Sequence, residues 1–100
     1  MKVRYSKSFI KAAKRLSGKP LQSLRDVIRE VMHCERVEEI TDCKRLVGYS
    51  NVYRIRIGSY RAFFTFHIEV VDGVVVFHYL VPRGQAYTKK IETELKKLDK

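Results

Sequence analysis

The run Tyr53-Arg54-Ile55-Arg56-Ile57-Gly58-Ser59-Tyr60-Arg61 sets cations and apolar residues in alternation. Such alternation marks a half-buried strand, so Arg54 and Arg56 project from one face, roughly 7 Å apart along it. That separation is close to one repeat of a nucleic-acid backbone. Between Lys44 and Ile68 no Asp or Glu offsets Lys44, Arg45, Arg54, Arg56 or Arg61. Cations in a row without carboxylates suit a phosphate partner, although the same pattern also occurs on strands that face only solvent. A two-metal nuclease draws its ligands from carboxylates, and this stretch offers none before Glu69.

One hundred residues make one domain, 1–100, and a chain of that length buries roughly two-thirds of its unfolded surface. It needs neither disulfides nor a structural metal to fold. A net charge of +10 with 45% hydrophobic residues is too apolar for a disordered basic tail. It fits a folded basic domain that meets a polyanion. No apolar run follows Met1-Lys2-Val3-Arg4, so no signal peptide is expected. The longest apolar run, from Val74 to Val81 with His78 inside, is far short of the roughly 20 residues that span a bilayer. A cytoplasmic protein with no membrane partner is the expectation, and Cys34 and Cys43 are then reduced thiols. Zinc would need two further ligands, and His33, His67 and His78 lack metal-type spacing with the cysteines. No metal or other cofactor is expected.

The elements that must carry the arginines read as follows. Lys2 to Tyr5 is a short first strand. A helix follows, N-capped by Ser6 or Ser8, with Phe9, Ala12, Ala13 and Leu16 as its apolar stripe. Gly18-Lys19-Pro20 separates it from a second helix striped by Leu21, Leu24, Val27, Ile28, Val31 and Met32. So short a turn predicts a helical hairpin. Cys34 to Ser50 is irregular, acidic at Glu35, Glu38, Glu39 and Asp42, with Leu46 and Val47 expected to be buried and a turn over Gly48 to Asn51. Three strands follow, Val52 to Ile57, Tyr60 to Val70 and Val74 to Val81, joined at Gly58-Ser59 and Asp72-Gly73. Pro82 stops the last strand, and Gly84 is expected to keep the next loop mobile. Ile91, Leu95 and Leu98 stripe a C-terminal helix studded with Lys89, Lys90, Lys96, Lys97 and Lys100.

The expected fold class is therefore α+β: an N-terminal strand, a two-helix hairpin, a three-stranded antiparallel meander completing a small twisted sheet, and a C-terminal helix. The helical hairpin covers one sheet face and leaves the other partly open. On the central strand Arg61, Phe63, Thr65, His67 and Glu69 share the more polar face. Hairpin pairing brings Arg61 near Arg54 or Arg56, and the end of the last strand brings Arg83 to the same rim. His78 reads as a core or edge histidine.

With those elements in place the chain resembles the RelE/ParE superfamily of bacterial toxins over nearly its whole length. The resemblance rests on the element order, on Val52 to Arg61, and on Tyr79-Leu80-Val81-Pro82-Arg83-Gly84-Gln85-Ala86-Tyr87. The second segment departs from the family pattern, with Pro82 where a glycine is usual and a single arginine. RelE-like members cut messenger RNA, usually in the ribosomal decoding site, whereas ParE-like members inhibit DNA gyrase. The resemblance implies cleavage residues at Arg54, Arg56, Arg61, Arg83 and Tyr87. Of these, Arg61, Arg83 and Tyr87 are read as catalytic and Arg54 and Arg56 as RNA-binding, with Lys44 and Arg45 of the same acid-free stretch added to the RNA-binding set. It favours a metal-independent endoribonuclease (an mRNA interferase) acting on mRNA at the 70S ribosome. A gyrase inhibitor or an inactive toxin-fold binding protein are the alternatives. It also implies an acidic antitoxin, with the toxin a monomer or part of a toxin–antitoxin hetero-oligomer.

RNA carries its own nucleophile in the 2′-hydroxyl, so a basic site that holds it in line with the phosphate suffices for cleavage. Arginine stays protonated, so Arg54 and Arg56 cannot take the proton. Tyr87 is the candidate base, since cations beside it favour the phenolate. Arg61 and Arg83 are the candidate phosphate clamps, and His67, on the Arg61 face, is the reserve base.

Overall fold

The computed structural model describes residues 1–68 and 73–99. The chain runs β1 (Lys2–Tyr5), α1 (Lys7–Ala13), α2 (Gly18–His33), a 3-10 turn (Val37–Glu39), β2 (Cys43–Arg45), β3 (Val52–Ile57), β4 (Tyr60–Ile68), β5 (Gly73–Pro82), a second 3-10 turn (Arg83–Gln85) and α3 (Lys89–Leu98). The strands form one sheet in the order β1-β5-β4-β3-β2. β1 pairs with β5 in parallel and every other pair is antiparallel, so the sheet is mixed. The α+β class and the order of the expected elements agree with the sequence reading, while β2 is an added strand inside the segment read as irregular. Glu69, Val70, Asp72 and Lys100 lie outside the described residues, so the expected strand end and half of the Asp72-Gly73 turn fall there.

Of the two serines proposed to cap α1, Ser6 does so. Its hydroxyl accepts from the Phe9 amide at 3.0 Å and donates to the His78 carbonyl at 2.7 Å. One side chain thereby ties the helix start to the middle of β5. Phe9, Leu24 and Val31 from the two helices, with Leu16 between them, bury against Ile55, Ile57, Ala62, Phe64, Val75, Phe77 and Leu80 of the sheet. The free N-terminal ammonium donates to the carbonyls of Met32 and Cys34 at 3.0 and 2.8 Å, the end of α2 where cations are favoured. Met32 itself, assigned to the α2 stripe, is 57% exposed in the last turn of the helix.

The opposite sheet face is not left bare. α3 packs there, joining Leu95 and Ala86 to Val52 and Phe63 in a second core flanked by Leu46, Tyr79, Val81 and Ile91. Its far end is pinned where the Asp99 carboxylate accepts from the Ser50 amide and hydroxyl and the Asn51 amide, the last at 2.8 Å. Those donors hold the Asp99 carboxyl below its usual value. Leu46 is therefore packed as expected, whereas Val47 is 95% exposed at a turn that Gly48 allows by its φ of +83°. The segment around Gly84 forms the 3-10 turn Arg83–Gln85.

β5 departs from strict alternation. Phe63 pairs with Tyr79 and Phe64 with Phe77, so His78 has no partner and forms a bulge. Phe77 and Leu80 face the helical pair, while His78 and Tyr79 both turn to the α3 side. The bulge re-aims a side chain, a usual role for an extra strand residue.

Candidate functional site

The β3–β4 hairpin sets the arginines. Arg54 lies opposite Phe63 and Arg56 opposite Arg61, which places all three arginines on the Phe63 face, as the alternation requires. Arg61 also pairs with Val81, two residues before Arg83, and the Arg83 amide donates to the Ser59 carbonyl at 2.8 Å. The end of β5 is thus stitched to the β3–β4 turn. Gly58 supplies that turn with a φ of +57°, a conformation costly for other residues. Arg61 is aimed by the same turn, its Nη1 donating to the carbonyls of Gly58 and Tyr60 at 3.0 and 2.8 Å.

Tyr87 follows the second 3-10 turn. Its ring meets buried Phe63 edge-on, with centroids 6.3 Å apart, and it remains 56% exposed. Phe63 therefore seats the phenol on the arginine face, a role that no motif in the sequence announces. The electrostatics gather the same set. Partial burial, then Arg56, Arg83 and Arg54, lower the proton affinity of the Arg61 guanidinium, and Tyr87 opposes them. Arg61 stays charged under this pressure. An anion placed there relieves like-charge repulsion among the arginines, which is what a phosphate-binding rim requires.

Three candidates sit differently from their expected places. Arg54 is only 6% exposed and its Nε has no hydrogen-bond partner, so it is a buried cation behind the rim rather than an open backbone contact. The cause is α3, whose second core occupies the face beside Val52 and Phe63. Arg45 pairs with Tyr53, which stacks on Phe64 on the helix side at 5.1 Å; it is off the arginine face, near enough to Asp99 to lower that carboxyl. Lys44, opposite Arg54, does share the face and is exposed. His67 shares it too, but six residues along β4 from Arg61, roughly 20 Å away. Its Nε2 is bonded to Thr65 Oγ1, so His67 cannot serve as reserve base at the rim.

The thiols are quiet. Burial pushes Cys43 up to about 12 and raises Cys34 as well, so neither is a ready nucleophile. Among the described residues, no three or more His, Cys, Asp or Glu side chains group to hold a metal ion. No helix among them is long and apolar enough to cross a membrane.

A mixed five-stranded sheet, two helices on one face, a third across the other and an arginine rim at the β3–β4 turn define a RelE-like α+β protein. Comparison with known proteins agrees. The chain is 32% identical over 88 residues to Toxin RelE3 of Methanocaldococcus jannaschii, spanning 87% of this chain and 96% of the relative. A RelB–RelE antitoxin–toxin complex from Methanococcus jannaschii superposes with a TM-score of 0.67 at 25% identity, over 84% of this chain and 94% of the other. A free mutant of the Escherichia coli toxin RelE shares the fold, with a TM-score of 0.69 at 19% identity over 97% and 95% of the two chains. No protein-family model matches the chain. The chain belongs to the RelE-like toxin superfamily.

Proposed function

We propose that this chain is the toxin of a toxin–antitoxin pair and cleaves messenger RNA without a metal, engaging its substrate on the ribosome. The observation that carries this reading is geometric: Arg56 lies opposite Arg61, the Arg83 amide bonds to Ser59 in the same turn, and Tyr87 packs on Phe63 of the same face, with Arg54 behind them. The substrate supplies the nucleophile. Tyr87 Oη takes the proton of the 2′-hydroxyl, whose oxygen attacks the adjacent phosphorus. The P–O5′ bond breaks, leaving a 2′,3′-cyclic phosphate on one fragment and a 5′-hydroxyl on the other once the leaving oxygen is protonated. Arg61 and Arg83 stabilise the charge that builds on the phosphorane oxygens, Arg56 and Lys44 hold the backbone, and Arg54 adds field from beneath.

Incubating the protein with a translated message in a chelator-containing extract should yield fragments with cyclic phosphate ends. Intact message together with arrested DNA gyrase would overturn the proposal in favour of a ParE-like inhibitor.

The antitoxin has a fitting surface away from the rim. No acidic residue precedes Asp26, while Lys2, Arg4, Lys7, Lys11, Lys14, Arg15, Lys19 and Arg25 all do. Between α1 and α2 lies a groove of about 400 Å³ walled by Tyr5, Phe9, Ile10, Leu21 and Leu24, with Lys14 and Arg25 at its edge. Tyr5 and Ile10 are 40% and 41% exposed there. An amphipathic acidic segment matches both the apolar walls and the cationic edge. Ile10→Asp should therefore weaken antitoxin binding roughly 30-fold, the scale of an interface anchor, with RNA cleavage unchanged in the free toxin. Titration of toxin and variant with the antitoxin measures it.

A further inference from the structure

On the α3 side of the sheet, far along β4 from the arginine rim, two imidazoles converge on one buried hydroxyl. His67 Nε2 and His78 Nε2 each lie 2.9 Å from Thr65 Oγ1, and Thr65 is 2% exposed. The arrangement is built rather than incidental. Thr65 and His67 are alternate residues of β4 and so share a face. His78 follows Val74, which pairs with His67, and Val76, which pairs with Thr65, at alternate positions of β5 and so points to the same face. The bulge is locked in turn by Ser6, which donates to the His78 carbonyl while capping α1. The proposed cleavage reaction uses none of these groups.

We propose that His67 and His78 form a binding site for a divalent transition ion of the zinc type, with Thr65 Oγ1 and solvent completing the coordination. Both ring nitrogens already point at one place and are no more than twice their 2.9 Å legs apart. An ion bonded to two imidazoles at about 2.0–2.1 Å needs those nitrogens roughly 3–4 Å apart. Exposed His67 can turn to close the gap, while His78 is held by its bulge. Imidazole must be neutral to ligate, and partial burial followed by the nearness of His67 lowers the proton affinity of His78, the direction that favours a ligand. Binding moves the one Nε2 proton that the shared hydroxyl required onto Nδ1. Nitrogen ligands of borderline softness select zinc, nickel or copper over calcium or magnesium. The ion would staple β4 to β5 at the bulge.

The test uses the untagged full chain, titrated with zinc chloride by calorimetry at neutral pH, with His67→Gln, His78→Gln and a Cys34→Ser/Cys43→Ser double variant alongside. The expected result is one ion per chain, affinity lowered at least about tenfold by either histidine change, a loss that even an outer-shell partner can cause, and unaltered by the double cysteine change. Imidazole proton and nitrogen resonances of His67 and His78 should shift together on zinc addition. Absence of binding at millimolar zinc, affinity indifferent to the histidine substitutions, or binding lost with the cysteines would each overturn the proposal.

Discussion

Arg83→Ala and Tyr87→Phe should each lower message cleavage by roughly 100- to 1,000-fold while leaving the thermal midpoint in place. The size follows from the roles. Removing one preorganised donor to a developing oxyanion costs about 10²–10³ in rate, and removing a positioned proton acceptor costs about 10²–10⁴. The fold should survive because what these residues contribute to it is not what the substitutions remove. Arg83 holds the β3–β4 turn through its backbone amide, which alanine retains. Tyr87 packs on Phe63 through its ring, which phenylalanine retains. Single-turnover cleavage and a melting curve on the same preparations separate the two effects. A Tyr87→Phe rate within twofold of the parent would remove the phenol from the mechanism. Arg61→Ala is a poorer probe, since its Nη1 also braces the Gly58 and Tyr60 carbonyls, and lost activity would mix turn geometry with lost charge.

The parts of this arrangement that obey local rules could be read from the sequence. β3 keeps its expected bounds, Val52–Ile57, because alternation and Gly58-Ser59 fix them from both sides. Pairing across that turn then dictates that Arg56 faces Arg61. What escaped the reading depends on long-range partners. β2 is three residues long, Cys43–Arg45, and owes its strand character to β3 rather than to any period of its own. Asp42, at its start, takes a φ of +54°, which the sequence marks only by residue type. The bulge at His78 hides inside Val74 to Val81, a run that satisfies period two on paper. Following that period would place Tyr79 beside Phe77, whereas the extra residue sends it to α3, where its hydroxyl donates to Glu94 at 3.3 Å. The destination of α3 was equally unreadable, since an apolar stripe of Ile91, Leu95 and Leu98 states only that some surface is covered. Its landing on the arginine side converts Arg54 from an open contact to a buried charge.

Arg54→Met should make the protein more stable, by about 1–4 kcal/mol, while Arg54→Ala should make it less so. A buried cation loses its hydration and recovers it only through hydrogen bonds or a paired anion. Arg54 is 6% exposed, its Nε is unpartnered, and its strand neighbours across the sheet are Phe63 and Lys44. Methionine fills much of the same volume without the charge, so the desolvation penalty disappears and packing is kept. Alanine also removes the charge but opens a cavity next to Val52 and Phe63, and large-to-small changes in a core cost about 2–5 kcal/mol. Denaturant unfolding of the two variants gives the signs directly. Equal destabilisation by methionine and alanine would mean that the guanidinium is satisfied in solution. The same pair of variants bears on function, because Arg54 presses on the Arg61 guanidinium from behind the rim. Methionine should therefore slow cleavage even as it raises stability, the pattern of a charge retained for its field at the phosphate site against its cost to the fold.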